Sequence, residues 1–149
     1  MANILIVEDT VDLGDLLYVF ITGAGHRVTL CREAFMALDK LQEENFDLII
    51  TDMFMPGRDG LDVLREARRV SPDTPVLVMS GGSRLFPSFD PLSCARQLGA
   101  VGVLAKPFRR SDLLSSISAA LGTARADAST PRPLPAGSAK NSTSRRLSS

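Results

Sequence analysis

The sequence predicts an α/β domain built on a doubly wound parallel sheet, and three observations predict it. Five short apolar runs alternate with five longer segments of helical character between residues 1 and 122, the pattern of repeated βαβ units. The first, third and fourth runs are nearly all aliphatic, as strands covered on both faces should be, so these three belong in the middle of the sheet. Acidic, hydroxyl and lysine side chains stand just beyond the runs, where open parallel sheets hold their ligands.

Taken in order, the predicted strands are Asn3 to Val7, Arg27 to Leu30, Leu48 to Thr51, Pro75 to Met79 and Val101 to Leu104. Between the first two, Leu13, Leu16, Leu17, Phe20 and Ile21 recur at three-and-four spacing, and Gly23 and Gly25 follow where a helix would stop. Phe35, Leu38 and Leu41 mark a second helix. Leu61, Val63, Leu64 and Ala67 mark a third, running from Gly60 until Ser71-Pro72 ends it. Pro87 and Pro91 interrupt the fourth segment, which predicts a short helix beginning near Pro91. Leu113, Leu114, Ile117 and Leu121 give the last helix, with Ser111 as its N-cap and Gly122 as its stop.

Composition narrows the function classes. A chain of 149 residues that is 44% hydrophobic can bury one core of ordinary size. No aliphatic run approaches the roughly 20 residues of a membrane span, and no basic-then-apolar leader opens the sequence, so a cytoplasmic protein is expected. Cys31 and Cys94 stand far apart without a CxxC or Cys/His grouping, which predicts two reduced thiols. Residues 1–122 hold 12 basic and 16 acidic side chains, an acidic balance that argues against a nucleic-acid-binding core. Residues 123–149 reverse the sign and are rich in Ser, Thr, Pro, Ala and Gly, with two Leu as their large apolar residues; they read as a disordered tail.

Chemistry is concentrated at the strand ends. Strand one ends in Glu8-Asp9, strand three in Asp52, strand four in Ser80 followed by Gly81 and Gly82, and strand five leads into Lys106-Pro107. Carboxylates crowded at one edge repel one another unless a cation lies among them, and hard oxygen ligands suit Mg²⁺. With such an ion, one carboxylate can act as a nucleophile on phosphorus. Lys106 would supply a point charge and Ser80 a hydrogen bond to the phosphoryl oxygens. Taken singly, Asp9 reads equally well as a helix cap, Asp52 as a turn residue, Ser80 as a turn hydroxyl and Lys106 as a surface charge. Their joint placement after four strands is what points to a site.

The motifs ILIVEDT, LIITDMFMPGRDG, VLVMSG and LAKPF, in this order and at these spacings, resemble the receiver domain of two-component response regulators from residue 2 to about 122. The resemblance implies a flavodoxin-like sheet of order 2-1-3-4-5. It implies Asp52 as the phosphoacceptor, Asp9 as a direct Mg²⁺ ligand, Glu8 acting on the ion through water, and the carbonyl of Phe54 as a further ligand. Ser80 and Lys106 would hold the phosphoryl oxygens, and the Lys106-Pro107 bond would be cis. The expected protein is a stand-alone receiver, phosphorylated by a sensor histidine kinase or a histidine phosphotransfer protein and read by a downstream protein partner. It needs no enzyme activity beyond its own phosphotransfer and autodephosphorylation. After Leu121 no helix-turn-helix pattern or second core follows, so direct DNA binding is not expected.

Three positions depart from the family pattern. Val103 stands where receivers carry a Tyr or Phe that moves with the residue at the Ser80 position. The stretch from Ser80 to Gly99 runs longer than usual and contains Phe86, Phe89 and two prolines, which pack over the domain or form a partner surface. Phe54 and Gly82 flank the path of hydrolytic water and cannot orient it, which predicts slow self-dephosphorylation. A phosphorelay intermediate, passing the group to another histidine protein, would share every one of these residues. An aspartyl-phosphate hydrolase would want an acid where Phe54 stands, and a flavin binder would want a phosphate-binding loop where Glu8-Asp9 stand.

Overall fold

Each apolar run becomes a strand of one five-stranded sheet. In the computed structural model, which describes residues 1–53, 60–81, 96, 97 and 99–129, the strands are β1 Asn3–Val7, β2 Arg27–Cys31, β3 Leu48–Asp52, β4 Val76–Ser80 and β5 Gly102–Ala105. The described helices are α1 Val11–Gly23, α2 Ala34–Glu43, α3 Gly60–Val70 and α4 Arg110–Ser129. The sheet order is β2-β1-β3-β4-β5, the predicted one, with every pair parallel.

Alternation along the central strands explains why they are aliphatic throughout. Leu5, Val7, Ile49, Val76 and Val78 enter one core cluster with α2 and α3 residues such as Leu41 and Leu64. Ile4, Ile6, Leu48, Ile50, Leu77 and Met79 enter a second cluster with Leu17 and Ile21 of α1 and Leu113 and Ile117 of α4. Successive side chains point to opposite faces, and both faces are covered. Burying each large aliphatic side chain contributes about 1.5–3 kcal/mol, so a polar residue anywhere in β1, β3 or β4 would be costly.

Helix boundaries follow local hydrogen bonding. α1 ends in a Schellman arrangement: Gly25 has φ 96°, its amide donates to the Thr22 carbonyl, and the His26 amide donates to the Ile21 carbonyl. α2 buries Ala34, Ala37 and Leu41 with Leu38 partly covered, whereas Phe35 is 56% exposed. Leu38 and Leu41 lie in the buried stripe as predicted and Phe35 does not, because 34, 37, 38 and 41 fit a 3.6-residue repeat that leaves 35 outside.

The last helix corrects two expectations. Its N-cap is Arg109 rather than Ser111: the Asp112 side chain accepts the Arg109 amide, and the Leu113 amide donates to the Arg109 carbonyl, one half of a capping box. Its course also runs through Gly122 to Ser129. A glycine inside a helix costs about 1 kcal/mol and does not by itself stop one. The tail from 130 onward lies outside the described residues, as do Phe54, Gly82, Cys94 and most of the predicted fourth segment; residues 96 and 97 are helical. Among the described residues, no helix is long and apolar enough to cross a membrane.

Candidate functional site

Sheet register places the chemistry. Val7 is paired with both Cys31 and Thr51, so Glu8 and Asp52, each the next residue on, emerge side by side. Asp52 is paired with Met79, and Ser80 with Ala105. The ladder continues one step further, with the Lys106 amide donating to the Ser80 carbonyl at 2.8 Å. Glu8, Asp52 and Lys106 fall in the same alternating phase as Ile6, Ile50 and Leu104, which all pack into the cluster under α1 and α4. Their side chains consequently meet on one side of the sheet.

The meeting is a bridged ion pair. Lys106 Nζ donates to Asp52 Oδ2 at 2.9 Å and to Glu8 Oε1 at 3.1 Å. Glu8 is fully buried and its other oxygen, Oε2, accepts the Thr10 amide at 3.0 Å. Asp9 is half-buried beside them, and carboxylate oxygens of Glu8, Asp9 and Asp52 lie within 4.8 Å of one another. Asp52 itself is 6% exposed. Such a set of hard oxygen donors suits a divalent cation, and charge-assisted bonds of this kind are stronger than neutral ones.

Burial shapes the charges. It pushes the Glu8 carboxyl above its usual range, opposed by the Thr10 amide and reinforced by the Asp52 charge, with Lys106 acting to lower it. Burial alone would pull the Lys106 ammonium down, but the hydrogen bonds and charges of Asp52 and Glu8 outweigh it and leave the group above the ordinary lysine range. Lys106 is therefore charged at neutral pH. Ser80 Oγ is buried without a hydrogen-bond partner among the described residues, a costly state for a hydroxyl.

Of the residues singled out in the sequence, the structure brings Glu8, Asp9, Asp52 and Lys106 into one cluster, with Ser80 on the adjoining strand end. The Lys106-Pro107 peptide is cis. Val103 is partly buried against the cluster under α2 and α3. Two features escaped the sequence reading. One is the direct Glu8–Lys106 contact, between residues 98 positions apart. The other is Gly81, whose missing side chain leaves room for the lysine stem: a Cβ there would lie 3.2 Å from Lys106 Cβ. The glycine after Ser80 was the available signal for the second. Among the described residues, a groove lined by Leu13, Leu16, Gly81, Lys106, Pro107 and Phe108 opens beside the site.

A doubly wound parallel sheet with a lysine-bridged acidic cluster at its strand ends defines an α/β domain whose charged groups stand where this fold class binds its ligands. The response regulator receiver domain family matches residues 4–118, and the chain belongs to that family. Receiver domains are the phosphoacceptor switches of two-component systems. The chain is 34% identical over 119 residues to the response regulator receiver protein CpdR of Brucella abortus, covering 78% of this chain and 94% of CpdR. It is 33% identical over 123 residues to the transcriptional regulatory protein ZraR of Klebsiella oxytoca, covering 83% of this chain but only 27% of ZraR. Among solved structures, the receiver domain of the sensor histidine kinase PA1611 from Pseudomonas aeruginosa, described with a magnesium ion in its active site cleft, superposes with a TM-score of 0.72 at 25% identity, covering 81% of this chain and 98% of that one.

Proposed function

We propose that Asp52 accepts the phosphoryl group, supported above all by its position: a nearly buried carboxylate held by Lys106 among two further acids. An Asp52 Oδ attacks phosphorus of a phosphohistidine, an O–P bond forms, the P–N bond breaks, and its electron pair returns to the imidazole. Lys106 then donates to the phosphoryl oxygens, and the buried Ser80 hydroxyl, which has no partner among the described residues, gains one. In this reading Asp9 and Asp52 hold Mg²⁺ directly, Glu8 contributes through water, and the Phe54 carbonyl adds a ligand. The donor set fits the ion, since its oxygens already converge. When bound, Mg²⁺ neutralises charge on the transferring group.

The phosphodonor is a sensor histidine kinase or a histidine phosphotransfer protein, as for other receivers, and the phosphorylated ensemble binds a protein partner in the cytoplasm rather than DNA. Phe54 and Gly82 make the acyl phosphate slow to hydrolyse, so autodephosphorylation is a minor activity. The second reading is a relay role, in which Asp52 hands its phosphoryl group to another histidine; it shares the same site residues and differs only in partner. Label transfer from a phosphorylated kinase or phosphotransfer protein tests both: wild type should gain label and Asp52→Asn should not. Return of label to a phosphotransfer protein marks the relay.

A further inference from the structure

We propose that Arg32 is a positioning residue for Asp9, clamping the start of α1 to the end of β2 so that the acids of the site stay converged; this rests on the reading of Asp9 as a Mg²⁺ ligand. Asp9 lies in the short link between the end of β1 at Val7 and the start of α1 at Val11. On the strand side the link is fixed, because the Glu8 amide donates to the Cys31 carbonyl at 3.0 Å. On the helix side the N-cap is Thr10, whose amide donates to Glu8 Oε2 but whose side chain makes no capping bond. Arg32, the residue after Cys31, crosses to the helix and donates from Nη2 to Asp15 Oδ1 at 2.8 Å.

Stability alone does not explain this arginine. The ion pair is exposed, with 36% of the Arg32 and 64% of the Asp15 side chain open to solvent, and such pairs contribute little. Arg32 Nη1, in contrast, is buried with no hydrogen-bond partner among the described residues, and a desolvated donor without an acceptor costs more than the pair contributes. The guanidinium reaches this place because residue 14 is a glycine: a Cβ there would stand 2.8 Å from Nη1. Gly14 is buried within α1, where glycine is itself unfavourable. An unpaired donor and a helical glycine thus meet at one contact between α1 and β2. Local rules broken without a gain in stability mark a functional position.

The sign of the effect on Mg²⁺ affinity separates positioning from charge. If Arg32 acted by its charge, removing it from this edge of the sheet would tighten binding of a cation; losing the clamp lets Asp9 drift and weakens it. Mg²⁺ affinity is measured by calorimetry in about 0.15 M salt, where distant charges are screened, for wild type, Arg32→Met, Asp15→Ala and the double variant. Each single variant should bind about fivefold more weakly or worse, and the double variant no more weakly than either, because both break one contact. Unchanged or tighter binding by Arg32→Met, or losses that multiply in the double variant, overturn the proposal. In EDTA, Arg32→Met should unfold at the same urea concentration as wild type or a higher one; a marked loss of stability would show that the arginine serves the fold, and would also overturn it. A wild type that binds no Mg²⁺ overturns the reading of Asp9 as a ligand, and this inference with it.

Discussion

Gly81 lies against the stem of Lys106: a Cβ placed on it would stand 3.2 Å from Lys106 Cβ and 3.4 Å from Cδ. The end of β4 thus presents only backbone where the lysine passes toward Asp52. Gly81→Val would put branched carbons in that path and displace the ammonium. Because misplacement by about 1 Å can cost up to about 100-fold in rate, phosphorylation should fall by about tenfold or more. Stability should fall by about 1 kcal/mol or more in EDTA, because the displaced ammonium no longer pairs Glu8 and Asp52. Initial rates and urea midpoints check both halves; an unchanged rate would show that the stem has room to spare.

Lys106→Met leaves Glu8 and Asp52 facing each other without their cation. Removing one partner of a buried charged cluster destabilises because the remaining charges stay desolvated, and the partial exposure of this lysine puts the cost at about 1–3 kcal/mol. The loss should appear in urea unfolding with EDTA present and shrink when Mg²⁺ is added, because an ion binding only the folded state stabilises it. Equal stability of wild type and variant in EDTA would contradict this account of the cluster.

Ser80→Ala should behave in the opposite way. The wild-type hydroxyl is buried and without a partner among the described residues, so its replacement by a methyl group should leave stability unchanged or raise it by up to about 1 kcal/mol. The yield of acyl phosphate should nevertheless fall, since the hydroxyl is assigned to a phosphoryl oxygen. A thermal melt paired with a phosphorylation assay separates the two effects. A markedly less stable variant would mean that the hydroxyl already has a structural task.

The Cys31 thiol gives a pH-dependent prediction. It is 2% exposed, and burial pushes its pKa up, with the Lys40 charge opposing. A raised pKa means that the folded chain holds this proton more tightly than the unfolded one, so the associated stability is present at neutral pH and is lost as pH rises through the alkaline thiol range. In a Cys94→Ser chain, a thiol reagent at neutral pH should modify Cys31 only as fast as the fold opens, and urea should accelerate the reaction. Rapid modification of the native chain would place the thiol outside the core.

The strands were legible because a sheet covered on both faces demands aliphatic residues at every position, and Ile4 to Val7 and Leu48 to Ile50 meet that demand. Periodicity also located α1 and α3. It placed Leu38 and Leu41 of α2 in the core but wrongly added Phe35, because an exposed phenylalanine scores as apolar whichever way it points. The end of α4 differs because Gly122 keeps a helical backbone instead of the positive φ seen at Gly25, so the helix continues past it. Strand ends pointed to Glu8, Asp9, Asp52, Ser80 and Lys106 together, since topology alone carries strand ends to one edge. What sequence could not reveal was the internal wiring of the cluster. The Glu8–Lys106 bond depends on alternation phase and side-chain length across three strands, and no local pattern encodes that.

The central claim is that Lys106 and the neighbouring acids prepare one carboxylate, that of Asp52, to bond with phosphorus. Intact mass spectrometry after incubation with a small phosphodonor and Mg²⁺ addresses it most directly. Wild type should gain the mass of a single phosphoryl group, and Asp52→Ala should gain none. An equal gain in the variant, or none in the wild type, would contradict it.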